Sequence, residues 1–238
     1  VYTASITPTA NGVVSVSAAA GVAQDAATNN NLASNTLSLT YDNTSPTVVV
    51  STTATSPTRT SPIPVTFTFS EAVTGFVVGD IIVVNGTAGN FVAVSSTVYT
   101  ASITPTANGV VSVSAAAGVA QDAATNSNLV SNTLSVTYDN TSPTVVVSTT
   151  ASNPTNTSPI PVTFTFNEAV TGFVVGDITV VNGTAGNFTA VSSTVYTASI
   201  TPTANGVVSV SAAAGVAQDA ATNNNLVSNT LSVTYDNT

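Results

Sequence analysis

PVTFTFS, residues 64–70, alternates strictly, with Val65, Phe67 and Phe69 on one side and Thr66, Thr68 and Ser70 on the other. Successive side chains of a strand point to opposite faces, so this heptapeptide is a half-buried β-strand. VYTASITPT (98–106) and GVVSVSAAA (109–117) repeat the pattern, with Tyr99, Ala101, Ile103, Val111, Val113 and Ala115 inward. Val, Thr, Ile, Phe and Tyr suit a pleated surface, and Asn85-Gly86 and Asn108-Gly109 suit tight turns between strands. Strands are expected at about 47–53, 64–70, 80–85, 89–95, 98–104, 110–119 and 133–138. The proline-rich stretch SPTRTSPIP before the second of them breaks up pairing at a sheet edge.

The pattern is periodic. VYTASITPTANGVVSVSAAAGVAQDAATN begins at Val1, Val98 and Val195, a step of 97 residues, and YDNTSPTVVV begins at Tyr41 and again at Tyr138. The chain of 238 residues thus divides into the last part of a repeat (1–44) and two full repeats (45–141 and 142–238). The full repeats differ only at Thr55/Ser152, Ser56/Asn153, Arg59/Asn156, Ser70/Asn167, Ile82/Thr179, Val92/Thr189 and Ser127/Asn224. A 97-residue unit is long enough for its own core. The fold class is therefore all-β, with tandem seven-stranded immunoglobulin-like β-sandwiches. A solenoid would show a shorter period. Residues 1–44 hold only the last three strands and cannot close a sandwich alone. Their missing strands are expected to precede them in a longer chain, the alternative being strands donated by another molecule.

Composition removes most chemistry. There is no Cys, Met, Trp, His or Lys and a single Arg59, against ten carboxylates, for a net charge of −9. Nucleic acid or an anionic membrane would need a basic face, which is absent. The apolar runs, such as FVVG and IIVV, are too short to span a bilayer. Without His, Cys or Lys no nucleophile has a base, and without Lys no Lys–Asn isopeptide crosslink can form. Glu71 and Asp80 share a loop and form a carboxylate pair of the kind glycosidase chemistry uses, but the aromatics that would line a cleft are spent inside strands. The chain is read as non-enzymatic.

The succession TFTFSEAVTGFVVGDIIVVNGTAGNF, YTASITPTANGVVSVSAAAGVAQDAATN and YDNTSPT resembles the bacterial Ig-like repeats strung along large secreted adhesins and surface fibres. The resemblance covers the whole chain and implies an extracellular spacer at the bacterial surface, its partners being neighbouring repeats of the same chain, with any adhesive head elsewhere. In one loop the sequence departs from the family pattern: QDAATN stands where DAAGN is usual, so Thr125 takes the place of a turn glycine. A self-assembling filament, with strand or lateral contacts between chains, is the alternative reading.

The carboxylates recur with the repeat. If successive strands alternate in direction, the loop bounded by Glu71 and Asp80, the loop opened by Asp122, and the incoming linker with Asp42 all meet at one pole. Asp42, Glu71, Asp80 and Asp122 are thus expected at one junction, and Asp139, Glu168, Asp177 and Asp219 at the next. Like charges gathered without Lys or Arg repel unless a cation sits among them. Ca²⁺, a hard ion taking 6–8 oxygen ligands, is the candidate, with Asn43, Asn126, Asn128 and backbone carbonyls completing its shell. The competing reading is structural: Asp80 caps a turn, Asp42 forms an Asx-turn with Thr44, and Glu71 and Asp122 are solvated loop residues. Asn-x-Ser/Thr triplets stand at Asn43, Asn85, Asn140, Asn156, Asn182 and Asn187, most of them accounted for by the abundance of Asn, Ser and Thr. Outward Thr66 and Thr68 have the spacing of an ice-binding face, but outward Thr is the default on a strand.

Overall fold

The computed structural model describes residues 1–238. Its strands are β1 (Gly12–Val16), β2 (Leu37–Tyr41), β3 (Val48–Ser51), β4 (Ile63–Phe69), β5 (Ile81–Val84), β6 (Gly86–Ala93), β7 (Val98–Pro105), β8 (Gly109–Ala115) and β9 (Leu134–Tyr138). The second repeat continues with β10 (Val145–Ser148), β11 (Ile160–Phe166), β12 (Ile178–Val181), β13 (Gly183–Ala190), β14 (Val195–Pro202), β15 (Gly206–Ala212) and β16 (Leu231–Tyr235). All seven expected strands form, though β6 starts earlier than its expected range and β8 ends earlier. No helix is long and apolar enough to cross a membrane.

Each full repeat pairs a four-stranded sheet, order β3-β4-β7-β6, with a three-stranded sheet, order β5-β8-β9, and β10–β16 repeat the arrangement. All ladders are antiparallel. This is the constant-type immunoglobulin topology, a two-sheet sandwich closed over one core. Val65, Phe67 and Phe69 are buried as the alternation requires, together with Tyr99, Ala101, Ile103, Val111, Val113 and Ala115.

Three core residues come from loops, Val73 and Phe76 before β5 and Ala120 after β8. Phe76, between β4 and β5, meets Phe67, Phe69, Phe91 and Tyr99 at ring separations of 5.2–5.6 Å, mostly edge-on. The Tyr99 hydroxyl donates to the Val73 carbonyl at 3.0 Å, tying the same loop to β7. The β4–β5 loop is thereby anchored over the core, which fixes where Glu71 stands.

Two sheet edges are closed by the unit itself. Asn132 accepts from the Val50 N–H and donates to its carbonyl, at 2.8 and 3.0 Å, standing in for a neighbour of β3. Along β9, the Thr58 N–H donates to the Thr137 carbonyl and the Thr58 carbonyl accepts from the Asp139 N–H, both at 2.9 Å. The proline-rich segment thus lines an edge, and its short parallel bridge to Tyr138 ties it to the start of the linker.

Residues 1–44 match 98–141 except at Asn30/Ser127, Ala33/Val130 and Leu39/Val136, but have no counterparts of β3–β6 packed against them. Residues 1–8, identical to β7, form no strand. Ile6 is 53% exposed where Ile103 is 0%, and Leu39 is 70% exposed where Val136 is 3%. The segment keeps only the β1–β2 hairpin. Pairing to β4 and β6 on either side, and not the local sequence, makes this stretch a strand.

The loop QDAATN keeps a left-handed turn without its glycine. Thr28, Thr125 and Thr222 have φ of 66°, 70° and 68°. A β-branched residue there is strained by about 1–2 kcal/mol. The turn is held because the Asp122 carboxylate accepts from the Ala124 and Asn126 N–H groups at 2.8 and 2.9 Å.

Candidate metal centre at the repeat junctions

Three elements converge where one repeat hands over to the next. The linker leaves β2 at Tyr41, and its Asp42 Oδ1 accepts from the Thr44 N–H at 2.9 Å, the expected Asx-turn, and from Asn11 Nδ2 at 2.8 Å. The β4–β5 loop brings Glu71, and the β8–β9 loop brings Asp122. Carboxylate oxygens of Asp42, Glu71 and Asp122 lie within 4.8 Å of one another, as do those of Asp139, Glu168 and Asp219 at the second junction. Oxygens bound to one Ca²⁺ at 2.3–2.6 Å can stand at most about 5 Å apart, so each trio is compact enough to share a single ion. Asp122 and Asp219 are buried, and the other four are half-buried.

Asn126 ties the loop to the linker. Its Nδ2 donates to Asp122 Oδ2 at 2.9 Å and to the Asp42 carbonyl at 3.1 Å. Asn223 does the same to Asp219 and Asp139, at 2.9 and 3.0 Å. A second tether runs from the Leu129 N–H to the Pro46 carbonyl at 2.8 Å, and from Leu226 to Pro143 at 2.8 Å. The second junction is the more closed of the two. Ala221 and Asn223 are 3% and 4% exposed, whereas their equivalents Ala124 and Asn126 are exposed and half-buried. The sequences there differ only at Ser70/Asn167 and Ser127/Asn224, neither of which is Ala124/Ala221 or Asn126/Asn223. A complete sandwich also precedes the second junction, whereas only β1 and β2 precede the first.

Asp80 and Asp177 stand outside the trios. Each closes a single 3₁₀ turn, Asp80 Oδ2 accepting from the Val77 N–H and Asp177 Oδ2 from the Val174 N–H at 2.8 Å. This is the turn-capping role, which outweighs proximity because the carboxylate bonds within its own loop. Asn128 is also turned away. Buried, it accepts from the Val119 and Ala120 N–H groups at 2.9 and 2.8 Å and donates to the Ala116 and Leu129 carbonyls at 2.8 Å. It shapes the loop and is unavailable as a ligand. Asn108 takes a place at the linker that its sequence context did not signal, donating from Nδ2 to Asp139 Oδ1 at 3.0 Å while accepting from the Asn140 N–H at 3.1 Å.

The trio is electrostatically uneven. Burial, and then the charges of Asp122 and Asp42, push the Glu71 carboxyl above its ordinary 4.5; burial, Asp219 and Asp139 do the same to Glu168. The amide of Asn126, and then backbone N–H groups, hold Asp122 below its ordinary 3.8. A carboxyl raised on folding binds more protons folded than unfolded, so stability falls as pH rises through the window above about 4.5 and stays lower beyond it. A depressed carboxyl has the opposite sign, its contribution being present above 3.8 and lost as pH falls through its lower folded value. In metal-free buffer, Glu168→Gln is therefore expected to flatten the decline in melting temperature above pH 4.5 and to leave the acid limb unchanged. A melting curve against pH identical to that of the parent chain would contradict this account.

The profile of the bacterial Ig-like domain family matches residues 42–138 and 139–235. The chain belongs to that family. No curated protein matches the sequence. Among solved structures, the Yersinia pseudotuberculosis adhesin InvE is similar at 16% identity, with a TM-score of 0.29, over 81% of this chain and 59% of that one. The chain thus spans about three-fifths of that adhesin structure's length.

Proposed function

We propose that the chain is a non-enzymatic spacer of a bacterial surface adhesin, a rod of tandem Ig-like units bounded after Thr44 and Thr141, whose joints are stiffened by bound Ca²⁺. Family membership supports the spacer role, and the closed edges of β3 and β9 favour a single-chain rod over strand exchange between molecules. The observation that carries the joint is the trio itself: each draws one carboxylate from the linker and two from loops of the following unit. An ion bound there joins groups that no covalent geometry fixes. Three carboxylates and the nearby carbonyls offer a hard oxygen shell of the right kind, and no Lys occurs anywhere in the chain to neutralise them instead. Adjacent Pro46 and Pro143 are buried and restrict the chain just past the acidic residue.

An ion that binds the folded state alone raises stability by mass action. Millimolar Ca²⁺ is expected to raise the melting temperature of the second sandwich by several degrees over a chelated control, and Asp139→Ala to remove that rise. An unchanged melting temperature in Ca²⁺, or a full response surviving in Asp139→Ala, overturns the calcium reading and leaves the direct tethers to hold the joint.

A further inference from the structure

The two sandwiches are near copies, so a difference that changes their surface chemistry stands out. Val92 in the first becomes Thr189 in the second, and this single change turns Asn90-Phe91-Val92 into the triplet Asn187-Phe188-Thr189. We propose that Asn187 is an attachment site for an N-linked sugar, carried by the second sandwich and not by the first.

The backbone presents the triplet. Pairing of β13 with β14 shifts register between Gly186 and Thr189, a bulge in an edge strand, and Asn187 sits in it with φ 47°. Phe188 points inward, its ring 5.7 Å from Phe173 and 5.8 Å from Tyr196. Its neighbours Asn187 and Thr189 are consequently exposed on either side. A left-handed asparagine followed by an anchored residue is already turned, so the Thr hydroxyl two places on can approach the side-chain amide. That amide bonds to nothing else in the fold, leaving Nδ2 free.

The other triplets are closed by their surroundings. Asn85 Nδ2 donates to the Ala107 and Val110 carbonyls at 2.9 and 3.3 Å, and Asn182 Nδ2 to those of Ala204 and Val207 at the same distances. Asn43, Asn140 and Asn156 are exposed, but a proline follows each triplet at Pro46, Pro143 and Pro159. Proline holds the preceding serine extended and away from the asparagine amide. Only Asn187 combines a free amide, a turned backbone and an unrestrained hydroxyl.

The reaction forms a bond from Nδ2 to the anomeric carbon of a diphosphate-activated sugar. The bond from that carbon to the diphosphate oxygen breaks, the diphosphate leaves with the electron pair, and a base on the transferase takes the amide proton. The product is a polar bulk on an outer edge strand, and Asn187 is not among the carboxylate trio or its tethers, so the inference stands or falls independently of the ion.

The test is mass mapping of the protein recovered from the cells that make it, cut after aromatic residues because Arg59 is the only basic cleavage point. Peptide 174–188, which holds both Asn182 and Asn187, is expected to carry whole sugar residues that fragmentation places on Asn187 and not on Asn182, with its counterpart 77–91, holding Asn85 and Asn90, bare. Thr189→Val, which installs the residue the first sandwich already tolerates, removes the sugar, and Val92→Thr adds one at Asn90. An Asn187 peptide found only at its bare mass, or sugar retained in Thr189→Val, overturns the assignment.

Discussion

Replacing Phe173 by alanine is expected to destabilise the second sandwich by about 3–5 kcal/mol, the range for truncating a fully packed phenylalanine. Its ring contacts Phe164, Phe166, Phe188 and Tyr196 at 5.2–5.7 Å, so one truncation removes four aromatic contacts and leaves a cavity among them. A domain of this size is stable by about 5–15 kcal/mol, so much of the reserve goes. Because the two cores share no residue, denaturant unfolding should then separate into two transitions, with only one displaced. A shift below about 1 kcal/mol would show that the loop phenylalanine is peripheral. The consequence reaches the junction as well, since Phe173 anchors the loop that carries Glu168.

Asn225→Ala is the second large effect. The side chain is 1% exposed and satisfies four backbone groups, the N–H of Val216 and Ala217 and the carbonyls of Ala213 and Leu226, at 2.8–2.9 Å. Removing it strands groups that each cost about 1–3 kcal/mol when buried without a partner. Partial rescue by water at a surface loop brings the expected loss to about 3 kcal/mol. Asn225→Ala should also abolish the Ca²⁺ response of the second junction, because Asp219 and Asn223 ride on the same loop, and leave that of the first. Retention of parent stability in thermal or denaturant unfolding would contradict the assignment of this asparagine as the loop's internal brace.

Most of the fold was legible because its signals are local and repeated. Alternation in residues 64–70 placed Phe67 in the core, and the 97-residue step counted the units. What stayed hidden depends on long-range contact. Phe76 lies in no alternating run, so nothing local marks it as the centre of the aromatic cluster. Residues 1–8 and β7 have one sequence and two conformations, since a strand needs neighbours to pair with. Thr125 adopts the turn that glycine would supply, the Asp122 carboxylate holding it there. Strand direction alone gathered Asp42, Glu71 and Asp122, but it also gathered Asp80, whose carboxylate is drawn into its own turn by the Val77 N–H. Pole-level reasoning places a residue at an end of the sandwich; it does not say which way the side chain faces.

The stiffness of the joints is the central claim, and small-angle scattering of the full chain in Ca²⁺ and then in chelator measures it most directly. If the trios lock the linkers, Ca²⁺ lengthens the maximum dimension toward that of a straight rod, and chelation shortens it as the units bend about Asp42 and Asp139. Superimposable curves in the two buffers would contradict the account, leaving the proline linker and the asparagine tethers as all that sets the angle between units.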